Sequence, residues 1–344
     1  MSKTIKKCFY SKLTFQKMLD AHHRAVKNKR NKKEVILYEM DLENNLINLL
    51  DDIKNNKYKL GKYREFKVYE PKERIIKSLP YRDRIVHQWF VEEFIKPYYM
   101  KRFIKDSYAC IENKGTHMAI KTLQKYMRVM KRKYGFYYIL KCDIKKYFYN
   151  INKNILLDIL KKDISDKELI KFIEILLNSD DKIGIPIGNY TSQYFANIYL
   201  NELDHYVKEN LKVKYYIRYM DDFIMLIENK ERARDIYHLI EDFLIKHLEL
   251  ELNKKSKYYS NKFGCDFCGY IVYETHIKLR KRFKNKSKRK INKWNKLYLE
   301  NKLNIHNIQI RWNTMLAHAS HANSYNFMIY LQRKIYFSKY LKRL

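Results

Sequence analysis

The stretch YYIRYMDDFIMLI, residues 215–227, constrains this chain more than any other. Two apolar and aromatic arms flank adjacent carboxylates at Asp221 and Asp222, a pattern that predicts a β-hairpin carrying its charges at the turn. Adjacent carboxylates repel, and apolar surroundings make each harder to ionise. Two-residue hairpin turns favour Asn-Gly or Asp-Gly because both central positions often need φ > 0, which Asp-Asp tolerates poorly. Strain combined with like-charge repulsion is more typical of functional sites than of structural turns. A divalent cation would relieve the electrostatic part, and Mg²⁺ binds through one or two carboxylates plus substrate phosphates. A solvated surface turn is the alternative that these residues leave open.

A further carboxylate, Asp143, closes GFYYILKCDI (135–144), a short aromatic and β-branched run that reads as a strand. An aspartate in that place often only caps the next helix. Set against a hairpin that bears an aspartate pair, it would complete the carboxylates of two-metal phosphoryl transfer.

The rest of the chain alternates between helical and extended patterning. Helix is expected over most of 12–60, over 84–100 with an end near Pro97, and over 154–178, 190–208 and 230–249. Residues 62–79 read as a hairpin turning near Pro71, a Gly/Pro-marked loop GIPIG precedes 190, and a short strand pair is expected around 263–280. Strands interspersed with long helices, without strict βαβ alternation, predict an α+β fold with an antiparallel sheet.

Charge narrows the partners. Seventy-two Lys and Arg stand against 38 Asp and Glu, a net +34, and a field of that size suits a polyanion. The same composition, rich in Lys, Asn, Ile and Tyr, is what an AT-rich genome imposes whatever the function. At 344 residues, 46% apolar, the chain can bury a substantial core spread over two or three subdomains. It has no apolar run of membrane-spanning length, and MSKTIKKCFYSK lacks a signal peptide's apolar core. Five scattered cysteines give no disulfide framework, so a reducing cytoplasm is expected. The Cys265/Cys268 CxxC has no second pair to complete a zinc site and reads as packing.

YMDD between apolar strands, with DIKKYF upstream, resembles reverse transcriptases. RIIKSLPYRDRIVHQWF (74–90) is similar to the fingers of the bacterial retroelement branch, and FIKDSYACIENKGTHMAI (103–120) to its next block. GIPIGNYTSQYFANIYLNELD (184–204) resembles the loop and helix beneath the templating base. LNKKSKYY (252–259) and CDFCGYIVYETHIKLRKR (265–282) resemble the later palm blocks and the primer grip. Within 187–193, IGNYTSQ departs from the Gln-Gly start and Ser-Pro end usual in group II intron and retron enzymes. That departure, with AHASHANSYNF (317–327), resembles reverse transcriptases of diversity-generating retroelements, bacterial or phage-encoded; another bacterial reverse transcriptase (retron, group II-like or phage-defence) and a non-catalytic RNA-binding scaffold are the alternative readings.

The resemblance implies a right-hand polymerase: N-terminal helices and fingers over 1–134, palm over 135–282 with a helical insertion near 151–183, and helical thumb over 283–344. It implies two Mg²⁺ ions, with Mn²⁺ substituting in vitro, held by Asp143, Asp221, Asp222 and the carbonyl of Ile144. Phe148 falls at the steric-gate position that selects deoxynucleotides, although a plain core aromatic is its other reading. Arg74 and Lys77 would reach the incoming triphosphate, Ile187 and Gly188 would border the nascent base pair, and Lys255 would protonate pyrophosphate, a plain surface lysine being its other reading. Ser192, Gln193, Arg280, Lys281 and Arg282 would meet template or primer. The basic run 278–296 would track the duplex, anchored by Trp294, with a solvated helix as its other reading. His318 and His321 are expected to be structural. The implied partners are dNTPs, an RNA template with its RNA/cDNA hybrid, and a small basic accessory variability protein. In that family cDNA copied from a template-repeat RNA, with errors at adenines, diversifies a variable gene. An Ile at 187 offers none of the polar contacts a Gln would make near the sugar and minor groove, which would weaken discrimination against mispairs.

Overall fold

The computed structural model describes residues 5–69, 73–178 and 183–335, so the turn expected near Pro71 lies outside the described residues. The chain divides into two compact units, each discontinuous in sequence: Met1–Ile111, Asp143–Lys214 and His238–Lys255 form one, the remainder the other.

The first unit is mainly helical. The run expected over 12–60 is three helices, α1 (Phe15–Val26), α2 (Lys33–Glu39) and α3 (Leu42–Lys54), followed by an antiparallel hairpin of β1 (Arg64–Val68) and β2 (Arg74–Ser78). Next comes α4 (Tyr81–Phe90), which packs against α1. The helix expected to end near Pro97 ends at Tyr99. A π-helical turn over Val91–Ile95 rewinds the backbone, and α5 (Lys96–Tyr99) continues with Pro97 in its first turn, where the missing N–H costs nothing.

Beyond α6 (Thr116–Tyr134) and β3 (Tyr138–Asp143), both taken up below, the first unit resumes with α7 (Tyr147–Asn150), α8 (Lys153–Asp163) and α9 (Lys167–Leu177). The single helix expected over 154–178 is thus broken, and Asp166 is the reason. One of its oxygens caps α9 at the amides of Glu168 and Leu169, while the other takes the amides of Cys8 and Phe9 at 2.7 and 2.9 Å. Helix α10 (Tyr190–His205) crosses the unit and is buried over most of its circumference. Trp89, Phe94, Phe9 and Phe172 pack edge to face or stacked around 5–6 Å apart, and Trp89 also donates its indole N–H to the Lys12 carbonyl at 2.8 Å.

The second unit holds the sheet. Strands β4 (Tyr216–Tyr219) and β5 (Asp222–Ile227) form the expected hairpin; α11 (Lys230–Leu248) follows, its residues from His238 on counted in the first unit, and β6 (Lys257–Ser260) pairs antiparallel with β3. The order is β4-β5-β3-β6, and α6 packs on β4 and β5. Where one strand pair was expected, three short strands form a second antiparallel sheet: β7 (Cys265–Phe267), β8 (Tyr270–Val272) and β9 (Ile277–Leu279). Cys268 and Gly269 join the first two, both with positive φ as a type I′ turn requires. Cys265 is fully buried, and burial pushes its thiol up to about 12, in keeping with packing. Helices α12 (Lys281–Leu299), α13 (Ile305–Ala319) and α14 (Tyr325–Arg333) close the described chain, with α12 against the other two and Trp294 buried on it. Among the described residues no helix is long and apolar enough to cross a membrane.

Candidate active site

The hairpin is turned one residue earlier than its sequence suggests. Tyr219 pairs with Asp222, so the two turn residues are Met220 and Asp221, and Asp222 is already the first residue of β5. The left-handed conformation falls on Met220, at φ +57°, a strain of about 1–2 kcal/mol for a residue with a Cβ. Arg218 holds it there. This guanidinium is fully buried on β4 and donates to the Met220 carbonyl at 3.1 Å, placing a fixed cation beneath the turn. Behind the turn, Phe223 to Ile227 are all buried, so the strand that carries Asp222 has little freedom.

A second cation meets the pair from β3. Lys141 Nζ stands 3.5 Å from Asp222 Oδ2, and it also donates to the Asp266 carbonyl on β7. Asp143 follows two residues later on β3, on the same face of the strand as Lys141 by the two-residue period. Sequence reasoning missed both cations. The signals available were a lone Arg inside YIRYM and a lone Lys inside YILKCD, each an uncompensated charge in an apolar strand.

Where the chain enters the first unit, Ile144 bridges Leu252. Asn253 N donates to the Asp143 carbonyl and Lys145 N to that of Glu251, the pattern of a non-hydrogen-bonded antiparallel pair. The carbonyl of Ile144 therefore points away from the 252 strand. Lys255 is exposed in the turn that Asn253 caps. Phe148 is half-buried on α7. The core aromatic at this place is Tyr147, 2% exposed, which donates to the Ala196 carbonyl at 2.5 Å.

The loop before α10 is docked backbone to backbone. Ile185 N donates to the Phe148 carbonyl at 2.8 Å, and a Cβ on Gly184 would lie 2.6 Å from that same oxygen. One turn on, Lys77 N donates to the Ile187 carbonyl at 2.8 Å. Gly188 has φ +132°, and a Cβ there would overlap the carbonyl oxygen of Lys77. Asn189 Nδ2 reaches Tyr63 Oη at 2.8 Å, and Thr191 Oγ1 lies 2.8 Å from Nδ1 of buried His87. Burial lowers the His87 pKa to about 3, so this imidazole is neutral. Gly188, expected beside a base pair, thus has a local reason to be glycine in its fit against β2.

The remaining candidates are spread. Arg74 is exposed at the start of β2, whereas Lys77 is held between Glu65, at 3.4 Å, and the Tyr63 ring. Ser192 is buried and Gln193 exposed, so Gln193 is the one of the two with a surface to offer a strand. Arg280 caps the start of α12 and is paired with the Asp266 carboxylate, while Lys281 and Arg282 are exposed. His321 stacks on His117 of α6, and His318 Nδ1 lies 3.0 Å from Tyr270 Oη on β8.

The family model described as reverse transcriptase (RNA-dependent DNA polymerase) matches residues 61–272. The chain is 23% identical to the putative COX1/OXI3 intron 2 protein of Saccharomyces cerevisiae, a match covering 62% of this chain and 31% of that protein. It therefore spans about a third of that relative's length. A truncated apo telomerase from Candida tropicalis gives a TM-score of 0.48 at 13% identity, covering 67% of this chain and 58% of that one. Candida albicans telomerase with a fragment of telomeric RNA gives 0.45 at 11%, covering 69% and 51%. The stretch matched by the family model exceeds half the chain and takes in the hairpin, Asp143 and the docked loop. On that ground the chain belongs to the reverse transcriptase family of RNA-dependent DNA polymerases.

Proposed function

We propose that this chain performs RNA-templated DNA synthesis at Asp143, Asp221 and Asp222, and that its specialised form is error-prone copying of template adenines. The observation that carries the first part is the hairpin turn: two aspartates on a strained bend that a buried arginine fastens to a buried sheet. The donor set is all oxygen and suits Mg²⁺. Among the described residues no three His, Cys, Asp or Glu side chains form a ready-made cage. Mg²⁺ does not need one, because it keeps waters and takes substrate phosphates beside one or two carboxylates. When bound, a pair of such ions supplies Lewis-acid activation of a primer 3′-oxygen and charge stabilisation of the leaving pyrophosphate.

The chain's own residues do the rest. Arg74, with Lys77 after exchange of its Glu65 contact, draws the triphosphate to the fingers. Phe148 presents its ring to the sugar, the Ile144 carbonyl adds an oxygen ligand, and Lys255 gives a proton to pyrophosphate. Gln193 with Ser192 lines the template side, and Arg280, Lys281 and Arg282 lead the basic face of α12 along the duplex. Fingers over 1–134, palm over 135–282 and thumb over 283–344 describe this division of labour.

The specialised form rests on IGNYTSQ. An apolar Ile187, held by its backbone against β2, cannot offer the amide contacts of a Gln to a base pair. With it go a template-repeat RNA, an accessory variability protein and a bacterial or phage-encoded cytoplasmic enzyme. The similarity to an intron protein favours a second reading, an intron-type enzyme of ordinary fidelity. Sequencing cDNA made on a defined RNA, with and without a candidate accessory protein, separates them. Errors concentrated at template adenines support the first reading, and an even, low error spectrum supports the second.

A further inference from the structure

The two cations at the hairpin differ in kind. Arg218 is fully buried and bonded to a backbone carbonyl, so it is part of the scaffold. Lys141 is a flexible ammonium, 24% exposed in its side chain, against an Asp222 that is 27% exposed. It is not simply solvated. Its Nζ is held from two sides, by Asp222 Oδ2 at 3.5 Å and by the Asp266 carbonyl, while the Asp266 carboxylate is paired with Arg280. An ammonium carries three donors, so it can serve both oxygens at once, but it has no acceptor of its own. At Asp222 it occupies the kind of position a divalent cation would take on the same oxygen, with half the charge and a tether. Its second anchor is a main-chain oxygen on β7, so the ammonium has a place to stay when it leaves the carboxylate.

We propose that Lys141 is the resident counter-cation of Asp222. It holds that carboxylate aimed and partly neutralised in the metal-free enzyme, and it competes with divalent metal for Oδ2, setting a weaker affinity than the carboxylates alone would give. This rests on the reading of Asp222 as a metal ligand. Lys141 is then a positioning residue that acts through Asp222, and metal binding moves its ammonium fully onto the Asp266 carbonyl.

The test is Mn²⁺ binding, followed by electron paramagnetic resonance, to full-length protein free of nucleic acid and nucleotide. Wild type is compared with Lys141→Met, Lys141→Arg and Asp222→Asn, and melting curves are recorded with and without Mn²⁺. Removing a unit charge beside the ligand should tighten Mn²⁺ binding about three- to tenfold in Lys141→Met. Lys141→Arg, which keeps the charge, should stay near wild type. The rise in melting temperature on adding Mn²⁺ should be larger in Lys141→Met than in wild type, because the carboxylates there begin less compensated. A merely structural lysine would lower both melting curves equally and leave affinity alone. If Asp222→Asn weakens Mn²⁺ binding while Lys141→Met leaves it unchanged or weaker, the proposal falls and the metal site stands. If Asp222→Asn binds Mn²⁺ as wild type does, the metal reading of Asp222 falls and the proposal with it. Lys141→Gln is read in the same way should the methionine variant not fold.

Discussion

The hairpin turn at 219–222 and the docked loop at 184–189 solve opposite problems. At the turn the chain gathers like charges and must restrain them, so it uses cations: Arg218 beneath Met220 and Lys141 on Asp222. At the loop there is almost no charge to manage, and the fit is made mostly by main chain, with Asn189 adding a side-chain bond to Tyr63. Gly184 lies against the Phe148 carbonyl and Gly188 against that of Lys77. On the proposed reading, the first arrangement holds electrostatic stress for chemistry. The second is held in place by the steric fit of one backbone against another. Substitutions at the two places should therefore fail differently.

The largest expected effect is at the charges. Asp143→Asn should lower RNA-templated primer extension by at least about a thousandfold with melting temperature nearly unchanged, because on the proposed reading it removes a metal ligand and not a packing group. A rate loss accompanied by equal unfolding would erase the contrast. Next is the loop, where Gly188→Ala adds a methyl at a positive φ against backbone that cannot step aside. It should cost about 2 kcal/mol of stability and reduce extension only in proportion to lost fold, as read by denaturant melts beside rate measurements.

His87 sharpens the same contrast by pH. Its folded pKa lies well below the ordinary value because it is buried beside Thr191. The unfolded chain therefore takes up the proton first, and stability is intact above about pH 6.5 and falls as pH drops toward the folded value, by at most about 1.4 kcal/mol per pH unit. His87→Gln should flatten that acid limb in urea melts at pH 5 relative to pH 7. The smallest effect is at Ile187. Ile187→Asn should reduce misincorporation opposite adenine severalfold without changing the rate, and an unchanged error spectrum would remove Ile187 from fidelity.

The two regions were also unequally legible in sequence. Paired carboxylates between apolar arms announce a hairpin because charge in such a place needs a reason. The register was less readable: strain fell on Met220 and not on the aspartates, a choice fixed by where the Arg218 guanidinium reaches. The helix break at Asp166 depends on partners far away in sequence, Cys8 and Phe9. Helix α6 went unread, since only its first five residues fall in the block 103–120 that was noticed for its resemblance. The docked loop was visible as a motif, yet its contacts with Tyr63, Lys77 and His87 come from elements about a hundred residues upstream. Local pattern has no access to such contacts. Lys141 shows the limit most plainly, since nothing near it in sequence says that Asp222 and Asp266 will meet its ammonium.

The central claim is that the Asp221–Asp222 turn is the chemical centre of an RNA-dependent DNA polymerase. RNA-templated incorporation of deoxynucleotides by folded Asp221→Ala and Asp222→Ala proteins, beside wild type under the same Mg²⁺, tests it most directly. Synthesis by wild type and none above background by either variant is the predicted result. Synthesis retained by either folded variant would contradict the claim.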